Sequence, residues 1–314
     1  MANLLVVGDA TVDQMYFVDA VPEPGGEITA TRSILEPGGA GGTLATALAR
    51  LGHDVRIATR VGTGPFSELA LANVRAAGVS GDLIQVDDDR QTSSVTILVT
   101  PDTQRTMVTA IGASRELDAR TLTEATFEGL DGLVMSAYSL VGGPQRDYAV
   151  KALEMAAAAG ATTFVDMGTG AVNALKGRLI GLVRKVDHLL LNEKELFALT
   201  GTTSISEAVS GLAEQGIDHL VVKVGEMGSI VITPERSELV DPYEIDGVVD
   251  TTGAGDYYTA AFAHATVLGY DLLEAAAFGN VAGAWNTTEI GAQRRDLDAA
   301  TLRREARALA SEGA

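Results

Sequence analysis

An α/β fold is what this sequence predicts: a central, mostly parallel sheet with helices on both faces and a small antiparallel sheet beside it. Two observations predict it. Short apolar runs alternate with helical runs along most of the chain. Two segments break that rhythm with paired strand patterns and no helix between them.

The elements follow in order. "NLLVVG" (3–8) reads as a strand, "GGTLATALARLG" (41–52) as a helix ended by Gly52, and "DVRIATRVG" (54–62) as a strand. "FSELALANVRAAG" (66–78) reads as one further helix. "DGLVMS" (131–136), "ATTFVDM" (161–167), "DHLLLN" (187–192) and "DHLVVKVG" (218–225) are short apolar strands. Between them lie the helical runs 146–160, 171–185 and 206–216. Segments 11–39 and 91–114 read as strand pairs joined by Pro/Gly or polar turns, projecting from the main layer. The tail 297–314 reads as a surface helix that frays. There is no internal repeat, and the expected organisation is one domain over 1–314 with a β appendage from about 11–37 and 91–112.

Composition narrows the function. With 314 residues, 46% hydrophobic and 21% charged, the chain can bury a large core. A formal net charge of −19 disfavours a nucleic-acid backbone as partner, although a small anion could bind where backbone N–H groups and a cation act locally. The absence of cysteine excludes disulfides and thiolate chemistry and fits a cytoplasmic setting. "MANLLVVGDA" has no basic leader and reads as a strand, and no apolar run reaches the ~20 residues of a membrane span.

Three motifs carry chemistry. In "DTTGAGDYYTAAFAHATVLG" (250–269), Tyr258, Ala261, Phe262, Ala265 and Leu268 recur at helical spacing, so the Gly253-Ala254-Gly255 turn sits at a helix mouth. There, free N–H groups and the helix dipole make a seat for a phosphate or an oxyanion. Asp256 beside it is either a proton acceptor or a first-turn acid that favours the dipole. "EPGGAGGTLATALARLG" (36–52) is a second glycine-rich turn, with Gly38, Gly39, Gly41, Gly42 and Thr43 at its centre. It is neither a Walker A loop nor a dinucleotide fingerprint, which leaves a packing turn or close backbone approach to a polyhydroxy ligand. In "LLLNEKELFALTG" (189–201), Asn192 and Glu195 either hold a hydrated Mg²⁺ at a strand's carboxyl end or form a capping box. His53, His188, His219 and His264 lack ligand spacing, and Trp285 reads as core.

Taken together and in order, these motifs resemble the ribokinase-like (PfkB-type) carbohydrate kinases, from Val6 to about Gln293. "GDATVD" (8–13) and "VVKVGEMGS" (221–229) fall in the same family order. The resemblance implies a ribokinase-like fold in which the two strand-pair segments form a lid. It implies a kinase that uses ATP and Mg²⁺ to phosphorylate a hydroxymethyl group of a sugar or sugar-like alcohol. By the same resemblance Asp256 is the base, and the N–H groups of Gly253, Ala254 and Gly255 form the anion hole. Asn192 and Glu195 position Mg²⁺ through water. Lys223, Gly225 and Gly228 begin the nucleotide loop, Asn192 and Asn280 also serve the nucleotide, and Asp13 grips sugar hydroxyls. Asp250 and the Thr252 carbonyl form part of a K⁺ site that the segment near Gly291 completes.

Four positions depart from the family pattern: Thr43 stands for the usual Asn, Thr11 for an early Asn, and bulky Tyr257 follows the base. "SAYSLVGG" (136–143) lacks the usual acidic residue. The acceptor pocket is therefore expected to differ from a ribose site. A nucleoside kinase is the alternative, with Tyr16, Phe17 or Tyr138 to stack on a base, and a non-catalytic binding protein ranks below it. Edge pairing of the lid points to a homodimer.

Overall fold

The computed structural model describes residues 1–102, 104–293 and 296–312. Its strands are β1 (Asn3–Val7), β2 (Thr11–Phe17), β3 (Arg32–Gly38), β4 (Asp54–Gly62), β5 (Ile84–Asp87), β6 (Ser94–Val99) and β7 (Arg105–Ala110). They continue with β8 (Gly132–Ser136), β9 (Thr162–Asp166), β10 (His188–Asn192), β11 (Leu220–Lys223), β12 (Ser229–Ile232) and β13 (Ser237–Val240). The helices are α1 (Ala40–Arg50), α2 (Pro65–Ala70), α3 (Ala72–Ala76), α4 (Gly143–Ala158), α5 (Thr169–Leu175) and α6 (Arg178–Val183). After them come α7 (Glu193–Thr200), α8 (Ile205–Ala213), α9 (Ala254–Val267), α10 (Leu272–Asn286) and α11 (Ala299–Glu312).

The main sheet runs β13-β12-β11-β10-β9-β8-β1-β4-β5. Every neighbouring pair from β11 through β5 is parallel, and only β12 and β13 are antiparallel additions. Strand β1 shows why both faces are covered. Leu4 and Val6 point into one core with α1, α9 and α10, while Leu5 and Val7 point into the other with α4. Alternate residues face opposite layers, so a continuous apolar run is needed where helices pack on both sides.

The strand order reverses at β1, between β8 and β4. In such sheets the crevice beyond the carboxyl ends at the reversal is where ligands bind. The lid rises from there as a second sheet in the order β3-β2-β6-β7. Its β2–β3 and β6–β7 pairs are antiparallel, as expected, but β2 and β6 pair in parallel. The reason is that β2 and β6 follow the carboxyl ends of β1 and β5, which run the same way in the main sheet.

Three elements differ from the expected ones. The helix over 66–78 kinks at Leu71 into α2 and α3. The helix over 171–185 breaks at Lys176, whose φ of 49° leaves the right-handed helical region, giving α5 and α6. The C-terminal helix is more than a fraying surface helix, because Leu302 and Ala306 are buried in the core. Residues 313–314 of its expected span lie outside the described residues. Strands β5, β12 and β13 were not foreseen. Among the described residues no helix is long and apolar enough to cross a membrane.

Candidate active site

The glycine turn of α1 closes on its own chain. A Cβ on Gly41 would lie 2.4 Å from the Gly8 carbonyl carbon, and one on Gly39 2.4 Å from the Asp9 carbonyl oxygen. Gly39, at φ 83°, also accommodates a turn that side chains resist. A Cβ on Gly42 would meet Gln293 Nε2, and one on Gly38 would strike the Asp13 carboxylate at 2.3 Å. These approaches therefore serve packing between β1, the lid and α1. Thr43 is fully buried and its hydroxyl donates to the Gly39 carbonyl (3.0 Å).

Asp13 sits on β2 on the side shared with Glu36 of β3. It accepts from Thr11 Oγ1 (3.0 Å). Burial, with Asp250 and Glu36 nearby, pushes its carboxyl up to about 6.

Helix α9 begins at Gly253, whose φ of 77° is left-handed. A Cβ there would lie 2.7 Å from the Ala292 oxygen, so the turn needs glycine for both conformation and space. The Ala254 N–H points back at the Thr251 carbonyl (3.3 Å). The Gly253 and Gly255 N–H groups have no intrachain acceptor among the described residues, which leaves two donors open at the helix mouth. Asp256 lies in the first turn of α9. Desolvation, then Asp166, raises its carboxyl well above the ordinary value, with Asp13 and Glu195 adding to the rise and Lys223 opposing it.

Lys223, at the end of β11, pairs with Asp166 at the end of β9 (Nζ–Oδ1 2.5 Å). Burial pushes the Asp166 carboxyl up to about 6. Burial alone would lower the Lys223 ammonium, but Asp166 and Glu195 hold it above its usual range. Its Nζ lies 3.3 Å from where a Cβ on Gly255 would stand, so this cation sits beneath the helix mouth.

Asn192 ends β10 and caps α7 in a reciprocal box: its Oδ1 accepts from Glu195 N–H (2.9 Å), and Glu195 Oε2 accepts from Asn192 N–H (3.0 Å). Glu195 Oε1 takes the Thr169 hydroxyl (3.0 Å). A carboxylate offers about four acceptor positions, so Glu195 keeps room to accept from metal-bound water, and the pair fits an outer-sphere Mg²⁺. Gly225 and Gly228 both take positive φ in the turn from β11 to β12. Asn280 Nδ2 donates to the Val240 (3.2 Å) and Asp241 (2.8 Å) carbonyls, tying α10 to the end of β13.

The expected K⁺ seat does not fit an ion. Asp250 Oδ1 accepts from Thr252 N–H (2.9 Å) and from the Thr252 hydroxyl (2.6 Å), and it pairs with Arg105 Nη1 of β7 (3.1 Å). Asp250 Oδ2 accepts from Gly291 N–H (3.0 Å), so that segment presents a donor rather than a ligand. The Thr252 carbonyl accepts from Asn286 Nδ2 (2.7 Å). Donors and a guanidinium surround the oxygens that a cation would need.

The departures resolve in part. Tyr257 is buried away from the cleft, and its hydroxyl accepts from Arg50 Nη1 of α1 (3.1 Å). Tyr16 lies on the lid face opposite Asp13, by the alternation of β2. The Tyr138 ring packs on Gly168 and Gly170. Phe17 shares the inner lid face with Asp13 and lines a cavity of about 310 Å³ with Met15, Val99, Val249 and Ile290.

Sequence reasoning missed Asp166, Arg105 and Asp9. Asp166 and Asp9 left one signal, an acid at the end of an apolar strand. Asp9 accepts from Gln145 Nε2, and burial holds its carboxyl above the ordinary value. Arg105 left none.

A family model described as pfkB family carbohydrate kinase matches residues 1–300. A deoxyribokinase of Salmonella typhi is 24% identical over 296 residues, covering 93% of this chain and 94% of that protein. The solved adenosine kinase of Sinorhizobium meliloti superposes with a TM-score of 0.85 at 26% identity, over 98% of this chain and 99% of that one. A ribokinase of Arabidopsis thaliana, solved with ribose and ATP, gives a TM-score of 0.82 at 24% identity, over 98% of both chains.

Proposed function

This chain belongs to the pfkB family of carbohydrate kinases and is a phosphotransferase with an alcohol group as acceptor; from that premise we propose that it moves the γ-phosphate of ATP to a hydroxymethyl group of a sugar or sugar-like molecule. One observation carries the reading. The Asp256 carboxylate, held poorly solvated among other acids, stands in the same helical turn as two open backbone donors. A raised carboxyl is a better proton acceptor, and donors aimed at one point stabilise charge that develops on a transferring phosphoryl.

In this reading Asp256 takes the acceptor's proton as its oxygen attacks, and the Gly253 and Gly255 N–H groups receive the phosphoryl oxygens. Lys223 offsets the charge of Asp166 and opposes the rise of the Asp256 carboxyl. Asn192 and Glu195 would hold Mg²⁺ through water, and that ion neutralises the triphosphate against a cleft lined by carboxylates. The loop at Gly225 and Gly228 takes the nucleotide, with Asn280 bracing its far wall. Asp13 and Gly38 face the acceptor. Gly39, Gly41, Gly42 and the buried Thr43 shape that wall through packing. A bound K⁺ is not part of the reading, because donors surround its seat.

A nucleoside acceptor is the second reading, favoured by the Phe17-lined cavity on the Asp13 face of the lid. Turnover of pentoses, hexoses, sugar acids, adenosine and inosine with ATP and Mg²⁺ separates the two. Phosphorylation of none of them would remove both readings of the acceptor. With the preferred acceptor, Asp13→Ala should raise its KM roughly 5- to 150-fold, the worth of a lost charged hydrogen bond, and leave the KM for ATP little changed. Equal changes in both KM values would take Asp13 out of the acceptor site.

The homodimer is proposed through the outer lid face. There Leu35, Gln14, Thr96 and Val108 stand in one register row, and the edge residues Leu35 and Val108 are 55% and 64% exposed. Exposed apolar groups on edge strands invite pairing. Sedimentation should give a dimer that Leu35→Lys with Val108→Lys converts to monomer; a wild-type monomer would reject the interface.

A further inference from the structure

We propose that Arg105 supplies, from the lid, the fixed positive charge that a monovalent cation would otherwise bring to the Asp250–Thr252 turn. The inference rests on the kinase reading and deepens it. Arg105 binds all three residues of the turn that leads into Gly253. Its Nη1 pairs with Asp250 (3.1 Å) and donates to the Thr252 hydroxyl, and its Nη2 donates to the Thr251 hydroxyl (2.6 Å). Asp250 in turn fixes the Thr252 N–H and the Gly291 N–H, so one carboxylate joins the turn to the segment behind it. The Asp250 side chain is 7% exposed and that of Arg105 23%, so the pair is shielded and its charges are weakly screened.

Two consequences follow from this geometry. A mobile cation at Asp250 would have to stand beside a guanidinium and displace N–H and O–H donors from the same oxygens, so the chain needs none. Because Arg105 belongs to β7, the charge reaches the turn only while the lid lies over the cleft. Lid closure and ordering of the anion-hole turn are thus one event, and Arg105 acts on that turn as a positioning residue through Asp250. A guanidinium suits this role because it carries a permanent charge and several donors in one plane.

The test measures kcat and thermal unfolding of the whole chain in potassium, sodium and tetramethylammonium chloride at equal ionic strength, for wild type and Arg105→Ala. Wild type should give the same kcat and the same Tm in all three salts. Arg105→Ala should lose roughly ten- to hundredfold in kcat in tetramethylammonium, the effect of removing a charge-assisted network at the turn. Potassium should then raise the kcat or the Tm of the variant, because the opened carboxylate can accept an ion. The proposal falls if wild type itself responds to potassium, if the variant keeps full kcat in tetramethylammonium, or if the variant responds to potassium in neither readout. The unfolding measurement needs no acceptor, so it reports on the cation seat even if the kinase reading fails.

Discussion

Asp256→Asn should lower kcat by roughly 10²–10⁴ while fold and nucleotide affinity persist, because an amide of equal size cannot take the acceptor's proton. The substitution removes a poorly solvated negative charge from a group of acids, so stability should hold or rise. The pH profile supplies a second readout. Desolvation and Asp166 raise the Asp256 carboxyl, so the base is lost to protonation as pH falls through a value well above the ordinary 3.8. Wild-type kcat/KM should therefore show an acid limb above that value, and the variant's residual rate should lack the limb. Turnover within about twofold of wild type would remove Asp256 from the chemistry.

Lys223→Met should act on both stability and pH. Removing one partner of a buried ion pair leaves Asp166 uncompensated, at a cost of about 3–5 kcal/mol where that carboxylate is ionised. The sign follows from the proton balance. Asp166 is raised to about 6 in the folded state, above its unfolded value, so the folded state binds more protons and loses stability as pH rises through that range. Without Lys223 its carboxyl rises further. The loss should thus be largest at pH 8 and shrink at pH 5, measured by urea unfolding at both. Lys223 also holds the Asp256 carboxyl down, so the acid limb of kcat/KM should move to higher pH in the variant. An equal loss at both pH values, or an unmoved limb, would show that Lys223 does not govern these acids.

Local pattern made much of this protein legible in its sequence. The parallel strands announce themselves as apolar runs because both their faces are covered, as Leu4 to Val7 of β1 illustrate. The mouth of α9 is legible because left-handed Gly253 and the acid of its first turn are properties of consecutive residues. The capping-box alternative for Asn192 and Glu195 is legible in the same way, since three-residue spacing determines it, and the pair forms that box. Strands β12 and β13, the antiparallel pair at one end of the sheet, are only four residues each and give a weak signal of their own.

What only the tertiary structure decided concerns partners distant in the chain. The pairing of Lys223 with Asp166 joins residues 57 apart, and that of Arg105 with Asp250 joins residues 145 apart. The glycines at 38, 39, 41 and 42 carry the same composition whether a ligand or the chain's own backbone approaches them, and the structure puts Gly8, Asp9, Asp13 and Gln293 there. Sequence determined where a helix would offer free N–H groups and which acid would stand beside them. The sheet determined which charges meet that acid, because strands that end side by side bring their last residues together whatever their separation along the chain.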